Sequence, residues 1–139
     1  MIDTYNTVQV AQAGAIPTRM SKSGIEILLV TRRCGGWTIP KGCVDLGHST
    51  VQTARTEALE EAGVDGPLMP NVMGHYDLRK DGIHMRVAVH LMEVERVYPT
   101  FAEDRSRIRG WFAIEDACRL VGHPELAKLL RLAERVARD

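Results

Sequence analysis

The chain has 139 residues, 45% of them hydrophobic, which is enough for one core but not for a second catalytic domain, so a single domain over 1–139 is expected. Lys and Arg together number 18, as do Asp and Glu, so no global charge draws the chain to nucleic acid or to a membrane, and any electrostatic function is local. Cys34, Cys43 and Cys118 show neither a disulfide framework nor zinc-ligand spacing, and Met1 to Asn6 has no apolar run behind a basic start, so a cytoplasmic protein without signal or span is expected.

Val8 and Val10 flank Gln9, and the alternation resumes one residue out of phase at Ala11, which predicts a weak strand with a bulge. Ile25 to Val30 is a short apolar run and a firmer strand. Trp37 to Gly42 reads as a short strand ending in a Pro-Lys-Gly turn. Ser49 with Gln52 forms a capping box that starts a helix. Asp81-Gly82 predicts a tight hairpin between a strand around Met73 to Arg79 and a longer one from Ile83 to Val94. Arg107 to Phe112 reads as a further strand, Ile114 to Val121 as a short helix, and Pro124 to Ala137 as a helix with Leu126, Leu129, Leu130 and Ala133 on one face. Strands mixed with three helices imply a sheet covered on both sides.

The chemistry is concentrated in the helix that Ser49 opens. At about 100° per residue, Glu60 falls about 60° to one side of Glu57 and Glu61 about 40° to the other, while Val51, Ala54, Ala58 and Ala62 gather beside them. Three like charges on one face repel, and a hard divalent cation relieves that repulsion through carboxylate oxygens. A solvated acidic face is the bland reading of the same three residues. The segment in front of the helix favours the cation: Gly42 permits close backbone approach, Lys41 offers a mobile charge, and a helix N-terminus attracts anions.

The stretch from Gly42 to Val64 resembles the Nudix box: Gly, five residues, Glu, seven residues, then Arg-Glu-apolar-x-Glu-Glu-x-Gly-apolar. Gly42, Glu57, Ala58, Glu60, Glu61, Gly63 and Val64 fit its register, whereas His48 stands at the family's first Glu and Thr56 at its Arg. The Trp37 to Gly42 lead looks like that of the diphosphoinositol-polyphosphate and diadenosine-polyphosphate branch. Thr31-Arg32-Arg33, Arg109-Gly110-Trp111-Phe112 and His123-Pro124-Glu125-Leu126 are weaker likenesses to it, and together they span roughly residues 8 to 133.

The resemblance implies an α/β/α sandwich with a central mixed sheet and the box helix packed on it. It implies hydrolysis of a pyrophosphate bond in a nucleoside-diphosphate-linked or polyphosphate substrate, with Mg²⁺ or Mn²⁺ held by Glu57, Glu60 and Glu61. Glu103 or Asp104 is the candidate for a more distant carboxylate of the site. Arg32, Arg33, Lys41 and Gly42 are the candidate substrate contacts, and Arg79, Lys80 and Arg86 could extend a positive lining for a long polyphosphate.

Thr56 cannot make the ion pair by which the family's Arg holds a box glutamate, and Arg55 points about 140° from Glu60. Losing one such contact, about 1.5 to 3 kcal/mol, lowers a rate roughly ten- to a hundredfold. The two replaced positions therefore keep an alternative open: a catalytically impaired Nudix-fold module that binds nucleotide or polyphosphate and regulates a partner. A small α/β interaction domain is a third reading, and it predicts no divalent binding. Trp37, Tyr76, Trp111 and Phe112 read as core, His48 as a loop residue and His123 as a helix start, and His75, His84 and His90 lack ligand spacing.

Overall fold

The computed structural model describes residues 8–138, so the expectation for Met1 to Asn6 lies outside the described residues. The apolar run Ile25 to Val30 lies within β2 (Gly24–Thr31). Successive side chains of a strand point to opposite faces, so this run serves two cores. Ile25, Ile27 and Leu29 pack with Ile16, Val87 and Val89 on one face, and Leu28 and Val30 with Ala15 and Met92 on the other. The run is unbroken because the sheet is covered on both sides.

β1 (Val8–Ser21) is longer than the weak alternation predicts. It runs parallel to β7 (Ile83–Glu93) in one uninterrupted register from Val8 to Thr18, so the expected bulge is absent from this pairing. The phase change at Ala11 does not end the strand, because both faces of β1 are buried from Gln12 to Thr18 and strict alternation is no longer required. The other edge of β1 is shared between two partners. Gln12 to Gly14 pair with β4 (Lys41–Cys43), and Thr18 to Ser21 pair with β2. The expected Pro-Lys-Gly turn is thus a strand entry: Lys41 and Gly42 find backbone partners on the free half of β1.

β3 (Trp37–Thr38) and β9 (Arg109–Ala113) both pair with β2, and β6 (Gly74–Lys80) closes the far edge against β7. The β6–β7 hairpin turns on Asp81 and Gly82, with φ of 51° and 76°, the two positive angles that a type I′ turn needs. β5 (Val64–Asp65) and β8 (Arg96–Val97) form a separate antiparallel pair, too short for any periodicity to announce.

The helix α1 (Thr50–Glu57) continues as a π-helical turn over Ala58–Ala62. Ala54, Ala58 and Ala62 are fully buried against Leu28, Val30 and Val64. Helices α2 (Ile114–Val121) and α3 (Pro124–Arg138) cover the opposite face, with Leu126, Leu129, Leu130 and Ala133 buried as their spacing predicts. The result is the expected mixed sheet between helices, with the acidic helix, among the described residues, alone on its side.

His123 opens α3 as expected: its Nδ1 accepts from the Leu126 amide at 3.3 Å. Tyr76 is 1% exposed, and Trp37 meets Phe112 edge-on with centroids 5.0 Å apart, so the aromatics belong to the core. The capping box of α1 is complete: Gln52 N–H donates to Ser49 Oγ at 3.1 Å, and Ser49 N–H donates to Gln52 Oε1 at 2.9 Å. Ser49→Ala is expected to cost about 1 kcal/mol in chemical denaturation, with no change in the pairing of the sheet.

Candidate active site

The site is built where β1 changes partner. The segment Ile39-Pro40-Lys41-Gly42 is pinned there, with Ala15 N–H donating to the Pro40 carbonyl at 3.1 Å. This brings the backbone of β4 directly under the acidic helix. A Cβ on Gly42 would meet the Glu57 carboxylate, so glycine here lets that carboxylate lie against the strand, and a side chain would displace it. The next contact is made by Lys41, whose N–H donates to Glu61 Oε1 at 3.1 Å.

The three glutamates around the π-turn differ in burial. Glu61 is buried at 4% exposure, Glu57 is half-buried and Glu60 is exposed. The expected shared face is therefore a graded one, running from solvent at Glu60 to the interior at Glu61. π-turns inside helices recur at functional sites. This one ends at Gly63, whose φ of 64° closes the helix in the left-handed region.

A second segment docks onto that turn. Glu103 N–H donates to the Glu60 carbonyl at 3.0 Å, and Arg109 Nη1 donates to the Ala62 carbonyl at 2.8 Å. Arg107 Nε donates to Glu103 Oε1 at 2.8 Å, and its Nη2 lies 3.4 Å from Glu61 Oε2. Asp104 instead accepts from the Phe101 amide at 3.1 Å in a local turn. Of the two distal carboxylates considered, Glu103 is the one brought to the glutamate helix.

Burial, opposed by the Lys41 amide and the Arg107 guanidinium, pushes the Glu61 carboxyl up to about 7. Glu57 is also raised, first by burial and then by Glu60 and Glu103. Lys41 is lowered by burial, with Glu61 opposing the shift.

Beside Glu61 opens a cleft whose charged lining, among the described residues, is Arg32, Arg33, Lys41, Arg79, Lys80 and Arg107, with Glu61 as its single carboxylate. Among the described residues no aromatic ring lines it.

A model of the NUDIX domain matches residues 9–133. The chain belongs to the Nudix family. The mitochondrial Nudix hydrolase 16 of Arabidopsis thaliana is 31% identical over 132 residues, covering 81% of this chain and 72% of that protein. Diphosphoinositol polyphosphate phosphohydrolase 3-beta of Bos taurus is 31% identical, over 77% of this chain and 70% of its own length. The asymmetrical bis(5'-nucleosyl)-tetraphosphatase of Mus musculus is 30% identical, over 81% of each. A C. elegans Ap4A hydrolase in a binary complex shares the fold, with a TM-score of 0.75 at 24% identity over 94% of this chain and 99% of that one. These relationships make the chain a Nudix pyrophosphohydrolase.

Arg32, Arg33 and Lys41 line the cleft beside Glu61 together with Arg79 and Lys80, Gly42 lies against Glu57, and Arg86 is outside the lining. His48 is an exposed loop residue, its N–H donating to the Asp45 carbonyl at 3.0 Å. Thr56 is exposed, and Arg55 pairs with Asp65 at 2.9 Å, away from the glutamates.

Arg107 was not singled out by the sequence reading. Its only local sign is the four-residue step from Glu103, which matters only once the loop is known to dock on the helix. Cys34, Cys43 and Cys118 are free thiols. Among the described residues no helix is long and apolar enough to cross a membrane.

Because the folded protein holds the Glu61 proton more tightly than a free side chain does, ionising Glu61 costs stability. That cost is absent below about pH 4.5 and complete above about pH 7. In chelator, urea unfolding of Glu61→Gln and of the unaltered protein is expected to diverge in favour of the variant across that window, by about 3 kcal/mol at most.

Proposed function

We propose that this Nudix protein hydrolyses a pyrophosphate bond of a small, densely phosphorylated molecule of the diphosphoinositol-polyphosphate kind, with Mg²⁺ or Mn²⁺ as cofactor. The observation that carries the substrate class is the cleft beside Glu61. Among the described residues six cationic side chains converge there against one carboxylate, and no aromatic ring offers a nucleobase a stacking face. The relative from Bos taurus acts on a diphosphoinositol polyphosphate by its name, whereas the one from Mus musculus acts on a dinucleoside tetraphosphate. The lining favours the former.

Nudix hydrolases generally use divalent metal ions, and the donor set here suits one. Among the described residues no three acidic, His or Cys side chains converge into a ready-made cage. Mg²⁺ does not need one, because it is usually held by one or two carboxylates, its own waters and substrate phosphates. Glu57, Glu60 and Glu61, with Glu103 opposite, would hold it. When bound, such an ion neutralises phosphate oxygens and acidifies the attacking water.

The chain's own groups do the rest. Arg32, Arg33, Arg79 and Lys80 bind phosphates and fix which one lies over the glutamates. The Lys41 N–H and Arg107 hold Glu61 at a defined place. Water oxygen bonds to phosphorus as the bridging P–O bond breaks, the leaving phosphate takes the electron pair, and the water proton passes to carboxylate or solvent.

The test is product release from a panel of diphosphoinositol polyphosphates, dinucleoside polyphosphates, nucleotide sugars and nucleoside triphosphates, with Mg²⁺ or Mn²⁺ and with chelator. Metal-dependent turnover strongest on the inositol substrates is expected, and Glu61→Gln is expected to lower it by roughly a hundredfold or more. Paired replacement of Arg79 and Lys80 by Ala is expected to raise KM about three- to tenfold while leaving kcat nearly unchanged. A preference for dinucleoside polyphosphates would refute the substrate class. No turnover from a folded protein that still binds the metal would make it a binding module instead.

A further inference from the structure

Thr56 supplies no cation to the acidic helix, yet Glu61 is not left without one. Arg107, 14% exposed at its side chain, uses three nitrogens of one guanidinium on three segments. Its Nε donates to Glu103 Oε1 at 2.8 Å, its Nη1 donates to the Thr31 carbonyl at 2.8 Å, and its Nη2 stands 3.4 Å from Glu61 Oε2. Thr31 Oγ1 completes the join by accepting from the Ile108 amide at 2.9 Å. A planar fork can span these acceptors together, whereas a lysine ammonium on its flexible stem is a single point of charge.

We propose that Arg107 is the positioning residue of this site. From the segment before β9 it does what no residue of the acidic helix does: it sets the Glu61 carboxylate and carries Glu103 to face the same divalent ion. The inference rests on the metal-dependent reading above. It makes the loss of a box arginine at Thr56 a relocation of the cation and not a defect of the site.

Two other roles for Arg107 have different signatures. A countercharge that merely neutralises Glu61 would, on removal, leave the site more negative and tighten cation binding. A contact to substrate phosphate would, on removal, leave the substrate-free protein unchanged. Loss of a clamp weakens cation binding despite the lost positive charge, because the carboxylates lose their geometry.

The experiment compares Arg107→Met and Arg107→Lys with the unaltered protein, all substrate-free. Mn²⁺ binding is measured by calorimetry. Exchange of the Lys41 amide is followed by NMR in chelator, because that N–H donates to Glu61 Oε1 and so reports where the carboxylate sits. Arg107→Met is expected to weaken Mn²⁺ binding about tenfold or more, as losses of groups that orient metal ligands do. It is also expected to speed Lys41 exchange roughly tenfold, with Arg107→Lys in between on both readings. Tighter or unchanged Mn²⁺ binding, or an unchanged Lys41 amide, overturns the proposal. If the unaltered protein binds no Mn²⁺, the metal reading fails, and the Lys41 amide alone then decides whether Arg107 clamps Glu61. Should Arg107→Met not fold, Arg107→Lys carries both readings.

Discussion

A carboxylate taken almost entirely out of water needs partners, and the arrangement around Glu61 follows from that need. One oxygen accepts from a backbone amide of β4, and the other faces a guanidinium from the segment before β9. Burial still prevails over both, since the carboxyl remains well above its ordinary range. A group held in that balance suits chemistry near neutral pH, because a change in its surroundings, such as an arriving cation, moves its proton.

The sheet supplies the amide. β1 gives the first half of one edge to β4 and the second half to β2, and the strand carrying Lys41 and Gly42 enters at the division. Gly42 has no side chain to hold off Glu57, so β4 and the acidic helix lie in contact. On the π-turn Glu61 is buried while Glu60 stays in solvent. Carbonyls of the turn are taken up by the Glu103 amide and the Arg109 side chain, which fasten the approach to β9 onto the helix end. Arg107 is delivered to Glu61 by the same docking.

The positive cleft beside this centre draws on two distant parts of the chain. Arg32 and Arg33 follow β2, and Arg79 and Lys80 come from the end of β6, where the Asp81-Gly82 turn keeps the hairpin tight. A neutral chain thereby concentrates cations in one place, which is why its overall charge says nothing about the ligand it suits. Trp37, Phe112 and Tyr76 go to the core: Trp37 meets Phe112 edge-on, and Tyr76 lies beneath the sheet's helical cover.

By itself the sequence determined what short-range physics controls. The capping box at Ser49, the Asp81-Gly82 turn, the apolar run of β2 and the leucine face of α3 are local patterns, and each sits where its residues place it. The register from Gly42 to Val64 was equally legible, since spacing along the chain encodes it. Only the tertiary structure decided that β1 continues through its change of phase, that Glu61 is buried while Glu60 is not, and that Glu103 rather than Asp104 meets the helix. It alone revealed Arg107, because a contact between segments far apart in the chain has no periodicity and depends on how the loop before β9 folds back. The physical reason is common to all of these: they are set by long-range packing and by the needs of a buried charge, which no local window of residues contains.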